Sequence, residues 1–372
     1  MKGNLLMKEL KIGFIGLGLI GGSIAKKLKQ VCPDIFIVAY NRSEQSRIDA
    51  LNDKIANIAT DTIDDNFKDC NYIFLCTPVE QNIKYLSILR DIISPECIIT
   101  DVGSVKGNIH KEIESLSMTK NFIGGHPMAG SEKTGYRNAS TTLLENAYYA
   151  ITPTKDTDKE KLNEFYKLIE TLKAIPVILD CDEHDYAVAA ISHVPHLIAA
   201  SLVNLVKDND SDKETMKLLA AGGFKDITRI ASSSPIMWQQ ICSTNKENIT
   251  NLIDKYIKAL EQVKENVLEE GSKGVFDLFE KSKEYRNSFS DKSHGPIKKG
   301  YKIYCDIVDE SGSISKIATL LALSNINIMN IGIVHNREFD EGVLKIEFYD
   351  QNSMEDAIEI LSKFKYQIYV HN

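Results

Sequence analysis

Three groups of residues in this 372-residue chain have the types and spacing that chemistry asks for. The first is the run Phe122–Tyr136, FIGGHPMAGSEKTGY, where one imidazole, His126, stands among Gly, Pro, Ser and Thr, a setting in which core packing gives little reason for a His. Gly124, Gly125 and Gly130 permit close backbone approach to a ligand, Pro127 stiffens the chain after His126, and Ser131, Glu132, Lys133 and Thr134 add hydroxyls and charges. Loops that carry chemistry and loops that merely turn share this composition, so both readings stand on these residues alone. The second group is Gly16-Leu17-Gly18-Leu19-Ile20-Gly21, between an apolar strand-like run and an amphipathic helix. In that setting the glycines suit a dinucleotide: a tight turn, backbone against a pyrophosphate, and close strand–helix packing, with the helix N-terminus facing the phosphate charge. The third is Arg229, amid small and apolar residues after Gly222-Gly223, a plausible clamp for a carboxylate or an Arg tied to a nearby Asp such as Asp226.

These groups need elements to hold them. Leu10–Ile15, Ile35–Tyr40, Tyr72–Cys76 and Ile98–Val102 read as strands of an open parallel sheet, whose ligands lie beyond the strands' carboxyl ends. Thr77-Pro78, Asp101, Ser104 and Lys106 then fall on the same rim as Gly16 and Gly18, with His126 after the next strand. The second strand ends at Asn41-Arg42-Ser43, where an Asp or Glu would bond the ribose of NAD; Asn41 lacks that charge, and Arg42 with Ser43 suits a 2′-phosphate, a lean toward NADP or use of both. Tyr148–Pro153 and Pro176–Leu179 read as the last strands of this half.

From Asp182 the pattern turns helical. Asp182–Val206 reads as one long helix carrying Ser192, His193 and His196, with a kink expected at Pro195. The two histidines lack a third ligand at metal spacing, so no metal is expected, and His184 between Glu183 and Asp185 reads as a solvated helix start. Trp238 is the sole Trp, and Lys246–Glu270 is a striped helix suited to a dimer seam. Ser282–Gly300 reads as a polar linker, and the order β-α-β-β-α-β beyond it, starting at Lys302, is that of the ferredoxin-like fold. The net charge of −8 argues against a nucleic-acid partner working through a broad basic face. No apolar run approaches bilayer-spanning length, the seven scattered cysteines read as reduced thiols, and the expected location is the cytoplasm.

GLGLIGGS, CTPV, TDVGSVKG, GGHPMAGSEKTGY, SHVPH and GGFKDITRIA, in this order over nearly the whole chain, resemble the prephenate/arogenate dehydrogenase family joined to a C-terminal ACT domain. The resemblance implies an α/β Rossmann-type N-terminal domain over 1–180, an all-α dimerisation and substrate domain over 181–290 and a ferredoxin-like ACT domain over 300–372. It implies oxidative decarboxylation of prephenate to 4-hydroxyphenylpyruvate with NAD or NADP, on the route to tyrosine. His126 would accept the ring hydroxyl proton as hydride leaves, Ser104 would hydrogen-bond the same region, and Arg229 would bind the ring carboxylate. His196, Ser131, Glu132, Ser192, Trp238, Gly222 and Lys106 would help to form the substrate pocket. Gly16, Gly18, Leu19, Ile20, Gly21, Asn41, Arg42, Ser43, Thr77, Pro78 and Asp101 would hold the cofactor.

Two positions depart from the family pattern. Asn41 stands where many members carry Asp, and the ACT turn reads Asp309-Glu310-Ser311-Gly312 without its usual Pro, leaving tyrosine as an effector near Asp309 and Gly312 a hypothesis. The rivals are an arogenate dehydrogenase, a 3-hydroxyacid dehydrogenase and an amino-acid sensor with an inactive Rossmann half. The hydroxyacid enzyme needs a catalytic Lys where His193 and His196 stand.

Overall fold

Alternation within four short apolar runs builds the first layer of the molecule. A computed structural model of the chain describes residues 10–130, 133–269, 273–289, 301–308, 310–334 and 343–370. In chain order the nucleotide-type half begins β1 (Lys11–Ile15), α1 (Leu19–Val31), β2 (Phe36–Tyr40), α2 (Glu44–Asn52), β3 (Ile58–Thr60), β4 (Tyr72–Leu75), α3 (Val79–Arg90), β5 (Ile98–Asp101) and α4 (Gly107–Ser115). Its five strands are parallel and lie in the order β3-β2-β1-β4-β5. Ile12, Phe14, Ile37, Ala39, Tyr72 and Phe74 join one buried cluster, while Ile15, Val38, Tyr40, Ile73, Leu75 and Ile99 join another. Successive side chains point to opposite faces, so an unbroken apolar run fills both faces of a sheet covered by helices on each side. This is the Rossmann-type arrangement, and its strand order reverses between β1 and β4, where such sheets open a crevice.

β6 (Ile123–Pro127), β7 (Tyr148–Pro153), α5 (Lys159–Thr171) and β8 (Ile175–Ile178) follow, the strands forming a second sheet in the order β6-β7-β8. A parallel bridge, Ile99 to Phe122, ties β5 to the approach of β6; β6 and β7 are antiparallel, and β7 and β8 parallel. His126 therefore lies within a strand, opposite Ala150, and not in a loop as its Gly-Pro company suggests.

The helical half opens with α6 (Cys181–Val188), a π turn (Ala189–His193) and α7 (Val194–Asn209). The expected kink thus takes the form of one wide turn directly before Pro195, with the Val194 N–H reaching back five residues to the Ala189 carbonyl. Cys181–Asn209 is a 29-residue helical run that by length and composition alone would suit a membrane crossing, which corrects the expectation that no run is so long. Its buried face nonetheless carries His184, Asp185 and His193 and packs Ala189 and Val194 on Ile249. Short helices α8 (Thr215–Leu219) and α9 (Gly222–Thr228), a 3₁₀ turn (Arg229–Ser232) and α10 (Pro235–Thr244) lead to α11 (Lys246–Leu268). On α11, Ile257, Leu260, Val267 and Leu268 are exposed.

Lys281–Asn372 forms a second compact unit. The helix α12 (Lys273–Ser288) occupies the first part of the expected linker; the polar Lys, Glu and Arg residues there are good helix formers, so polarity did not mean loop. Then come β9 (Tyr301–Asp306), α13 (Ser313–Leu323), β10 (Ile328–Val334), β11 (Val343–Phe348), α14 (Gln351–Lys363) and β12 (Ile368–Tyr369). The four strands form an antiparallel sheet in the order β10-β11-β9-β12, and Ile303, Cys305, Leu344 and Ile346 pack beneath Ile317, Leu321, Ala357 and Leu361.

Candidate active site

The turn after β1 is built for a bound anion. Gly16 has a φ of +101°, which L side chains rarely adopt, and a Cβ there would meet the Thr77 methyl at 2.7 Å. A Cβ on Gly21 would meet the Gly16 carbonyl at 2.4 Å, so helix and strand can pack this closely only at glycine. Nothing lies within 4 Å of a Cβ placed on Gly18, the residue that precedes α1, and no side chain caps the N–H groups of that helix. Leu19 and Ile20 are its first two residues. A cavity of about 350 Å³ opens here, lined among others by Gly16, Gly18, Asn41, Arg42, Ser43, Thr77 and Pro78. Uncapped N–H groups at a helix N-terminus beside open space fit the pyrophosphate of a dinucleotide.

The far wall is held by contacts that spacing did not reveal. Asn41 donates to the Leu17 carbonyl at 3.2 Å, and the Arg47 guanidinium donates to the carbonyls of Asn41 at 2.7 Å and Arg42 at 3.2 Å. Ser43 caps α2 by accepting from the Ser46 N–H, so its hydroxyl already has work inside the protein. Asn82 accepts from both the Thr77 hydroxyl, at 2.5 Å, and the Thr77 N–H, at 3.2 Å, fixing the end of β4. Arg47 and Asn82 were missed because each lies one helical turn past the motif it supports.

Two residues expected on the ligand rim lie beneath it. Lys106 and Asp101 are 0% and 1% exposed and form an ion pair, and Lys106 also donates to the Gly125 carbonyl at 2.6 Å. Asp101 further accepts the N–H of Gly103 at 2.9 Å and of Gly125 at 3.2 Å. Both side chains thus face each other inside the protein and not the open rim on which the sequence placed them. Together they clamp β6 to β5 and fix the turn that carries Ser104, half-buried between Gly103 and Lys106.

The glycines before His126 serve the same clamp and not ligand approach. A Cβ on Gly124 would meet the Thr152 hydroxyl at 2.2 Å, and one on Gly125 would meet the Asp101 carbonyl and the Tyr149 hydroxyl, each at 2.7 Å. Gly125→Ala must push apart two strands in the interior, at about 1–3 kcal/mol. It is expected to lower the urea midpoint and to cut kcat more than about tenfold, because His126 moves with its strand; unchanged values would show that the strands can separate freely.

His126 itself is half-buried, and its Nδ1 lies 2.9 Å from His184 Nε2; His184 Nδ1 lies 2.9 Å from Asp185 Oδ1. Burial, the nearby Lys106 ammonium and the neighbouring His184 and His193 hold the His126 ring well below the ordinary imidazole range, so it is neutral at working pH. Burial works to raise the Asp185 carboxyl, but hydrogen bonds from His184 and from the Lys106 and Gly107 N–H groups outweigh it and keep it below the usual carboxylate range. His184, 1% exposed, is thus no solvated helix start. Of the acids around it, Asp182 and Glu183 are exposed, whereas Asp185 is buried with His184 and bonded to it.

The helical half supplies a second face. His196 Nδ1 donates to the Ser192 carbonyl at 2.8 Å, and its ring stacks on Trp238 with centroids 4.1 Å apart. His193 is turned to Asn245, 3.3 Å from Nδ1, and burial pushes it down to about 4. The two histidines have separate hydrogen-bond partners, although both rings contact Trp238, His193 edge-on with centroids 6.0 Å apart. Arg229 is exposed at the start of its 3₁₀ turn, and Gly222 opens α9 with nothing within 4 Å of an added Cβ. Gly312 has a φ of +94° ahead of α13. Ser131, Glu132 and Asp309 lie outside the described residues.

Comparison with known proteins accounts for both halves of this site. Residues 24–178 match the family model described as prephenate dehydrogenase, nucleotide-binding domain, and residues 180–281 that described as prephenate dehydrogenase, dimerization domain. The prephenate dehydrogenase of Bacillus subtilis (strain 168) is 37% identical over 366 residues, covering 96% of this chain and 99% of that one. A crystal structure of prephenate dehydrogenase from A. aeolicus in complex with hydroxyphenyl propionate and NAD+ superposes with a TM-score of 0.71 at 32% identity, covering 75% of this chain and 98% of that one. A Synechocystis arogenate dehydrogenase structure gives 0.68 at 30% identity, covering 75% of this chain and all (100%) of that one.

Proposed function

This chain belongs to the prephenate dehydrogenase family, and on that premise we propose how its residues carry out the oxidative decarboxylation of prephenate to 4-hydroxyphenylpyruvate. The observation that carries the assignment of roles is a neutral His126 whose Nδ1 is engaged by the protein, on the strand beside the β5 rim of a dinucleotide-type sheet. A bound nicotinamide dinucleotide supplies the hydride acceptor. The Gly16–Gly18 turn and the first N–H groups of α1, at Leu19 and Ile20, would hold its pyrophosphate, with Gly21 keeping helix close to strand and Thr77 and Pro78 flanking the site on the next strand end. Asn41 and Arg42 together accept either a ribose hydroxyl or a 2′-phosphate, which extends use to NADP.

His126 Nε2 takes the proton of the ring hydroxyl while hydride leaves the same carbon, and Ser104 hydrogen-bonds that oxygen. Arg229 binds the ring carboxylate bidentately until it departs as carbon dioxide, a step driven by aromatisation of the ring. His196 and Trp238, stacked, form an aromatic wall of the pocket, with Ser192, Gly222, Ser131 and Glu132 around it. Trp238 Nε1 is buried with no hydrogen-bond partner among the described residues, which leaves one donor for the pocket.

The apolar side chains exposed on α11, within the segment matching a dimerization domain, support a homodimer, acting in the cytoplasm. The C-terminal sheet and its two helices have the strand order of a ferredoxin-like ACT domain, with tyrosine as end-product effector near Gly312.

A two-by-two assay of reduced-cofactor formation, prephenate or arogenate with NAD+ or NADP+, tests this reading. Turnover is expected with prephenate. Turnover with arogenate alone would favour the second reading, for which the likeness to the Synechocystis enzyme speaks; none in any combination would leave the amino-acid sensor.

A further inference from the structure

His126 is half-buried, and its surroundings, the Lys106 ammonium among them, disfavour the positive charge that it gains on taking a proton. What lies behind it is different. His184 Nε2 is 2.9 Å from His126 Nδ1, and His184 Nδ1 is 2.9 Å from the carboxylate of Asp185. Asp185 is locked in turn: Oδ1 accepts the Lys106 N–H and Oδ2 the Gly107 N–H, each at 2.8 Å, and the Asn245 amide donates to the Asp185 carbonyl at 2.7 Å. The bonds from Lys106 and Gly107 account for Asp185 as an anchor of the α4 N-terminus. They do not account for an imidazole, 1% exposed, between that anchor and the catalytic ring.

We propose that His184 and Asp185 are positioning residues for His126, forming a His126–His184–Asp185 relay that fixes which nitrogen of His126 is basic and receives its second proton. An ionised carboxylate only accepts, so His184 carries its proton on Nδ1 and, when neutral, presents the Nε2 lone pair. His126 then carries its proton on Nδ1 and offers Nε2 to the substrate. As the hydroxyl proton reaches His126 Nε2, the Nδ1 proton passes to His184 Nε2, and the C–H pair leaves as hydride. The positive charge comes to rest against the Asp185 carboxylate. When the bond to carbon dioxide breaks, its electron pair enters the ring, the former hydroxyl oxygen takes a proton back from His126 Nε2, and the His184 proton returns to His126 Nδ1. No net proton is consumed.

The inference rests on the reaction assigned above, and its test separates the two. Nitrogen-15 NMR of the histidine rings in the full-length chain, without substrate, reads the His126 tautomer; steady-state kinetics read kcat and KM. In wild type His126 is expected as the Nδ1–H form. His184→Phe should scramble that tautomer and lower kcat about 10–100-fold, with KM for prephenate and cofactor within about twofold. His184→Gln, whose amide oxygen can accept the same N–H, should keep the tautomer yet still lower kcat, since it cannot take a proton. An unchanged His126 ring in His184→Phe, or kcat within about twofold of wild type in both variants, overturns the relay. If His184→Phe does not fold, wild-type kcat in His184→Gln overturns it alone. Should wild type turn over nothing, the reaction assignment fails, and the NMR comparison still decides whether His184 sets the tautomer.

Discussion

Replacing His126 with Ala lowers kcat by about 10³-fold while cofactor affinity stays within about twofold of wild type. Positioned general bases contribute about 10²–10⁴ in rate, and the neighbours of this one are poor substitutes: Lys106 is paired with Asp101, His193 is turned to Asn245, and His184 lies behind His126, on its Nδ1 side. The dinucleotide turn belongs to β1, the central strand, with β4 and β5 between it and β6, and does not move with the side chain. Pre-steady-state hydride transfer and a binding titration of the cofactor check both halves of this expectation. A loss smaller than about tenfold would mean that solvent takes the hydroxyl proton.

Lys106→Met carries the largest expected loss of stability. The substitution leaves the Asp101 carboxylate, 1% exposed, without its cation, and breaking one side of a buried ion pair costs about 3–5 kcal/mol. The Gly125 carbonyl loses its donor as well, directly before the catalytic base. Replacing both partners, Asp101→Asn with Lys106→Met, removes the orphaned charge and should recover about half of the loss or more, because a buried pair is worth little against neutral groups of similar size. Urea unfolding of the two single variants and the double variant gives the coupling. Additive losses would show that Asp101 and Lys106 act separately.

How much of this was visible in the residues alone depends on how local the cause is. Strand alternation and the Gly16–Gly21 turn are local, and the first sheet follows them closely. The strand β3 escaped notice because three half-buried residues leave too short a pattern. His126 was found, but its strand was read as a loop because Gly124, Gly125 and Pro127 are poor strand formers; contacts from Thr152, Tyr149 and Asp101 override that preference. Lys106 and Asp101 were placed at the correct height on the sheet and the wrong depth, since rim position follows from topology whereas burial depends on what packs above. His184 was missed for a related reason: its partner lies 58 residues away, and nothing in a run of acids around a His announces a distant imidazole.

Asp185 and His184 sit in the stretch that matches the dimerization domain, whereas His126, Lys106 and Gly107 sit in the nucleotide-binding stretch. The contact between His126 and His184 thus crosses the boundary between the two matched domains. The nucleotide-binding half, transplanted alone onto another partner, would keep its glycines and His126 and still lack the imidazole that turns the ring.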